Sequence, residues 1–141
     1  MKKIALLITL LANPVSGLAQ PDIADLLRLN QSIVHVSVDL GNGKTGTGTG
    51  VVVSSEYVAT NCHILANAHG SNIAKYGDGY QPIAMKADWQ HDLCLLKFEK
   101  LPFKPVVMRD SSTLLYEEEV FTVGYPSGNS VPQPSYGTIK A

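Results

Sequence analysis

The chain has 141 residues, of which 45% are hydrophobic, 16% charged and 7% aromatic, and its formal net charge at pH 7 is -1. This length accommodates one ordinary domain, and the apolar fraction is sufficient for a hydrophobic core, which argues against intrinsic disorder. Eleven basic residues against twelve acidic ones leave no basic excess to neutralise phosphates, so a nucleic-acid partner is not expected.

The first nineteen residues have the layout of a secretory signal peptide. Two lysines precede the apolar run of residues 4–12, and the small residues Gly17 and Ala19 stand at the −3 and −1 positions of a cleavage site. A transmembrane helix needs about 20 apolar residues, and this run is far shorter. We therefore predict a signal peptide over residues 1–19 and an exported, periplasmic or extracellular protein without membrane attachment after cleavage.

The remaining chain shows a short helix followed by strands. Residues 22–30 carry apolar side chains at helical spacing, with Asp22 as the N-cap. Segments typical of strands follow at residues 33–38, 50–54, 57–60, 83–87, 93–98 and 120–125. Gly, Asn, Asp and Pro separate them, as at residues 41–43, and the polar segment 110–119 connects two groups of strands. This pattern predicts an antiparallel, all-β sandwich or barrel.

Two cysteines and three histidines are candidates for a metal site or a disulfide. The set is Cys62, His63, His69, His91 and Cys94. These side chains suit zinc, but only His91-x-x-Cys94 approaches the spacing of paired zinc ligands. In an exported protein with two cysteines, a Cys62–Cys94 disulfide is favoured over zinc. Two buried free thiols are the remaining alternative.

His63 and Asp92 are candidates for an acid–base pair. His63 follows the predicted strand 57–60, and Asp92 comes directly before the strand 93–98. A carboxylate entering an apolar strand needs a hydrogen-bond donor, and an imidazole N–H is a suitable one. Such a pair would be the second half of a Ser-His-Asp triad. On spacing alone, the favoured interpretation is a capping Asp and a loop His that never meet.

The segments around these two residues resemble the trypsin-like serine proteases, specifically the bacterial HtrA-type branch. Residues 60–64 (TNCHI) resemble the catalytic histidine motif Thr-Asn-x-His-Val, and residues 92–97 (DLCLLK) resemble the catalytic aspartate strand Asp-Leu-Ala-Val-Leu-Lys. Four further matches occur in the expected order, at residues 32–38, 48–53, 109–128 and 136–141. Six matches in order are far more specific than any single one.

The resemblance implies an all-β, chymotrypsin-like double β-barrel. The first barrel, complete and six-stranded, would occupy about residues 31–108, and the second, truncated, would begin at about residues 118–141. Together they make residues 20–141 a partial trypsin-like peptidase domain. The implied activity is serine endopeptidase cleavage of polypeptide substrates, with His63 as general base and Asp92 orienting it. No cofactor or metal is implied.

The nucleophilic serine is expected to be absent from this chain. In the family it lies in a Gly-x-Ser-Gly-Gly segment beyond the strand that residues 136–141 resemble. Ser130 does follow a glycine at −2, but Val131 and Pro132 stand where the family has two glycines, so we do not expect it to be the nucleophile. The 141-residue chain alone is therefore predicted to be inactive. The alternative to an enzyme is a catalytically inactive, protease-like barrel that acts as an exported binding module.

Overall fold

The computed structural model describes residues 21–140, which form two antiparallel sheets. The signal peptide predicted at residues 1–19 lies outside the described residues. Within residues 21–140, no helix has the length and apolarity needed to cross a membrane. The helices are α1 (Ile23–Asn30) and α2 (Cys62–Leu65), and the strands are β1 (Ile33–Gly41), β2 (Lys44–Val52), β3 (Tyr57–Thr60), β4 (Gly70–Lys75), β5 (Asp78–Tyr80), β6 (Ala84–Asp88), β7 (Leu93–Lys97), β8 (Glu119–Gly124) and β9 (Gln133–Thr138).

The first sheet has seven strands in the order β5-β4-β1-β2-β3-β7-β6 and curls around one hydrophobic core. Its inner face follows the period of two expected of a strand, because Val34, Val36 and Val38 of β1 are buried while the residues between them are less so. The core also takes side chains from β2, β3, β4 and β7. The sheet is therefore curled into a half-barrel around this core.

The predicted elements are present, and most ends differ by three residues or fewer, but β2 begins at Lys44, well before the predicted start at residue 50. Helix α1 begins after Asp22, whose carboxylate accepts a hydrogen bond from the Ala24 backbone N–H at 3.4 Å. The first sheet has seven strands where six were expected: five of them match predicted segments, and β4 and β5 form a hairpin that was not predicted. The sequence did not predict this hairpin because β4 lacks an alternating apolar pattern: Ile73 is its one fully buried apolar residue. The edge strands β5 and β6 are not hydrogen-bonded to each other in the described sheet.

The turn predicted at residues 41–43 is a two-residue hairpin loop. Gly41 pairs with Lys44, and the loop residues Asn42 and Gly43 have φ values of 52° and 73°. Positive φ at both loop positions matches the twist of the flanking strands, and Asn-Gly is the sequence that adopts it most readily. The loop therefore directs β1 into β2 without a longer connection.

Gly50 lies where the inner face of β2 has no room for a side chain. A Cβ there would lie 2.6 Å from a methyl of Val58, 2.8 Å from Val34 and 3.0 Å from Val36. We expect Gly50→Ala to lower the free energy of unfolding by about 1–3 kcal/mol because β-branched neighbours in a packed core cannot move aside. Chemical denaturation measures the change. Gly79→Ala is the control, because the nearest atom to its added Cβ would lie at 3.7 Å, an ordinary contact distance. If the two variants were equally stable, steric crowding at Gly50 would be ruled out as the cause.

The second sheet, β8 with β9, packs on the outer face of β1 and β2. The Tyr125 backbone N–H donates to Thr49 Oγ1 at 2.8 Å. The Tyr125 ring, which is buried, meets the His35 ring edge-to-face at a centroid distance of 5.1 Å. These contacts fix the end of β8 against the first sheet.

Candidate active site

His63 and Asp92 lie next to each other at the ends of two paired strands. β3 and β7 are antiparallel neighbours, and their register places Thr60 opposite Cys94. Helix α2 begins two residues after β3, and Asp92 directly precedes β7. The Thr60 hydroxyl donates to the Thr49 carbonyl at 2.8 Å, which fixes the end of β3 from the other side. The strand pairing therefore brings together two residues that are distant in sequence.

Two hydrogen bonds join His63 to the Asp92 carboxylate. His63 Nδ1 lies 2.6 Å from Asp92 Oδ2, and the His63 backbone N–H donates to Oδ1 at 2.8 Å. Because an ionised carboxylate can only accept, Nδ1 is the donor, and in the neutral imidazole Nε2 keeps its lone pair. The imidazole side chain is 71% exposed, so Nε2 is accessible to a reacting group. The structure thus contradicts the interpretation that spacing alone favoured, in which the two residues never meet.

Asn61 is a third residue of the site, and sequence reasoning assigned it no role. Its Nδ2 donates to Asp92 Oδ2 at 3.1 Å and to the Asp92 carbonyl at 3.2 Å. The pKa of the Asp92 carboxyl lies below its ordinary value, chiefly because the His63 backbone N–H and then the His63 side chain bond to the charged form, with Asn61 adding to the effect. The one sequence feature that indicated Asn61 was its position inside the TNCHI segment, next to Cys62 and His63.

We expect Asp92 to titrate below pH 3.8, its ordinary pKa. Because the folded-state pKa is lowered, the stabilisation that Asp92 contributes is fully present above that ordinary value and is lost as the pH falls through the lowered one. Carboxyl ¹³C NMR measures the midpoint directly. His63→Ala should raise the pKa of Asp92 only in part, because the backbone N–H remains. His91→Ala should leave it unchanged, and an ordinary midpoint in the unsubstituted chain would contradict the expectation.

The structure does not assemble the candidate zinc set. Cys62 and Cys94 form a disulfide, so neither offers a thiolate to a metal. The His69 backbone N–H donates to the Asp39 carbonyl at 2.7 Å. His91 Nδ1 lies 2.7 Å from Asp88 Oδ2 in the turn between β6 and β7. Among the described residues, no group of three or more His, Cys, Asp or Glu side chains could hold a metal ion.

Ser130 lies in the connection between β8 and β9 and is exposed. Within residues 21–140, no hydrogen bond joins it to His63. Its position therefore gives no support for a role as nucleophile beside the His63–Asp92 pair.

The comparisons with known proteins identify the family. Residues 48–141 match the family model described as "Trypsin-like peptidase domain", and the chain belongs to this family. A relative of Arabidopsis thaliana, "Putative protease Do-like 3, mitochondrial", is 27% identical over 99 residues. That alignment covers 66% of this chain and 17% of the relative.

Two solved structures share the fold. The serine endoprotease from Yersinia pestis superposes with a TM-score of 0.73 at 21% identity, covering 86% of this chain and 46% of that one. The Rv3671c protease from M. tuberculosis, in its active form, superposes with a TM-score of 0.67 at 25% identity, covering 92% of this chain and 60% of that one. The described residues thus have a chymotrypsin-like, mostly β architecture, with a curled seven-stranded half-barrel and a truncated second barrel. The chain spans less than two thirds of the length of each of these proteins.

Proposed function

We propose that this chain supplies the His-Asp half of a Ser-His-Asp triad in an exported serine endopeptidase of the HtrA type. The observation that carries the proposal is the His63–Asp92 pair at 2.6 Å, with the tautomer that leaves Nε2 free to accept a proton. Membership of the trypsin-like peptidase family supports it independently. The disulfide and the predicted signal peptide support an oxidising, periplasmic or extracellular location.

In this mechanism His63 acts as general base and then as general acid. Nε2 removes the proton of a serine hydroxyl as the serine oxygen attacks the carbonyl carbon of a peptide bond. The same proton passes to the amine that leaves, and an acyl-enzyme remains. Water then attacks the ester with His63 again as base, which releases the carboxylic acid and restores the serine. Asp92 holds the ring and stabilises the imidazolium form, and the reaction needs no cofactor.

The nucleophile belongs, in this proposal, to a Gly-x-Ser-Gly-Gly segment that residues 1–141 do not contain. Residues 20–141 would form the first part of the peptidase domain, and the polypeptide substrate would lie between the first barrel and the remainder of the second. The DNA sequence after codon 141 tests this directly. An open reading frame that encodes such a segment supports the endopeptidase, whereas a stop codon supports a binding module without catalysis.

We expect the 141-residue chain by itself to remain unlabelled by a fluorophosphonate probe. This reagent reacts with serines that a neighbouring base has activated, and Ser130 is not hydrogen-bonded to His63 within the described residues. Labelling is measured by in-gel fluorescence, with a trypsin sample as the positive control. Stoichiometric labelling that disappears in Ser130→Ala would overturn the expectation and would make Ser130 the nucleophile.

A further inference from the structure

The His63–Asp92 pair lies just beyond the point where strand pairing ends. The ladder between β3 and β7 runs from Tyr57 opposite Lys97 to Thr60 opposite Cys94. Past that point, the backbone hydrogen bond from the Cys62 N–H to the Asp92 carbonyl is 3.4 Å long, which is weak for a bond between backbone groups. Regular sheet structure therefore does not hold the two segments together where the site lies.

The hydrogen bonds that Asp92 accepts from His63 and Asn61 are all exposed to water. Asp92 has a φ of 53°. This left-handed backbone conformation is unfavourable for a residue that has a side chain, so the Asp92 backbone tends to leave it unless the surrounding structure prevents this. The side chains of His63 and Asp92 are 71% and 42% exposed. Water competes for hydrogen bonds at such exposure, so these bonds alone do not hold the two side chains in one fixed geometry.

The Cys62–Cys94 disulfide crosses between the two segments at this position. Cys62 is the residue before His63, and Cys94 is the second residue after Asp92. Their Cα atoms are 5.0 Å apart, and both residues are fully buried in the core. A covalent bond anchored in the core is thus the nearest rigid connection to both members of the pair.

We propose that the Cys62–Cys94 disulfide is a positioning element of the site, which holds His63 and Asp92 within hydrogen-bonding distance. Both sulfurs are inaccessible to a dissolved thiol while the chain is folded, so the disulfide is a permanent tie and not a redox switch. The inference rests on the proposed function only in treating this pair as the catalytic one.

The test compares the unsubstituted 141-residue chain with Cys62→Ala/Cys94→Val, which removes the bond and keeps the site apolar. Two NMR signals are followed: the His63 Nδ1 proton and the titration of the Asp92 carboxyl. In the variant we expect the proton signal to be lost through rapid exchange and the titration midpoint to rise toward the ordinary value for Asp. His63→Gln assigns the proton signal.

Two further variants separate positioning from general stability. Ile73→Ala removes fully buried apolar volume from β4, which is not adjacent to β3 or β7, and should leave both signals unchanged. In the second, cysteines replace Ala59 and Leu95, which face each other inside the ladder, in the background that lacks the native disulfide. This relocated bond cross-links the same two strands away from the site. It restores a covalent link between β3 and β7, so the proposal can still be tested if Cys62→Ala/Cys94→Val does not fold.

We expect the relocated disulfide to give a folded chain in which the His63 proton signal is still lost. Retention of that signal and of the low Asp92 midpoint, either in the relocated variant or in a folded Cys62→Ala/Cys94→Val chain, would overturn the proposal. Loss of both signals in Ile73→Ala would also overturn it, since the effect would then follow stability alone. None of these NMR signals depends on peptidase activity. The effect of the disulfide on the His63–Asp92 pair can therefore be determined even if the proposed peptidase function is wrong.

Discussion

Replacing His63 with Ala is expected to lower kcat/KM for peptide hydrolysis by about 10⁴- to 10⁶-fold in the polypeptide that also carries the nucleophile segment. Without the imidazole, no group accepts the serine proton as the serine oxygen attacks, and none returns it to the leaving amine. Asp92→Asn should lower kcat by about 10⁴-fold, because an amide in that place favours the wrong tautomer of His63. Hydrolysis of a fluorogenic peptide measures both effects.

The chain offers a matched control for this experiment. His91 is an exposed histidine whose Nδ1 lies 2.7 Å from Asp88 Oδ2, in the turn that precedes Asp92. Its geometry with a carboxylate resembles that of His63, but it lies outside the proposed triad, so His91→Ala should retain full activity. A His63→Ala protein that keeps activity within about tenfold of the unsubstituted protein would contradict a role as general base.

The sequence was sufficient to predict those elements whose signals are local. The Asp22 cap marks the start of α1, the alternation of buried valines marks β1, and Asn42-Gly43 marks the hairpin that follows. The sequence was insufficient to predict strands that form only because they pair with another strand. β2 extends back to Lys44 through Gly and Thr residues because the whole segment pairs with β1. The polar segment of β4 is a strand for the same reason, since it pairs with β1 on one side and β5 on the other.

The site depended even more on long-range structure. The residue types of His63 and Asp92 suggested a pair, yet their contact exists only because β7 lies beside β3 in the sheet. No local pattern specifies that neighbour, so spacing alone led to the wrong interpretation, and it was the family resemblance that pointed to the contact. The TNCHI segment marked the neighbourhood of Asn61 but not its role, because its partner Asp92 is 31 residues away and is reached only through the same pairing.

Reduction of the Cys62–Cys94 disulfide is expected to lower the free energy of unfolding by about 3–4 kcal/mol at 25 °C. The two cysteines are 32 positions apart in the sequence, and a cross-link over a loop of that length removes much of the conformational freedom of the unfolded chain. Both residues are also fully buried, so reduction forces two thiols, which need more room than one S–S bond, into a packed core. Guanidinium denaturation of oxidised chains and of chains reduced while unfolded measures the difference.

The same denaturation experiment with Cys62→Ala/Cys94→Val isolates the contribution of the bond. This variant contains no cysteine pair, so dithiothreitol should leave its midpoint unchanged, whereas the midpoint of the unsubstituted chain should fall. The expected stability change and the expected loss of the His63 proton signal are separate consequences of removing one bond: the first arises mainly in the unfolded chain, the second in the folded one. An unsubstituted chain whose unfolding is insensitive to reduction would show that the core holds β3 against β7 without the disulfide.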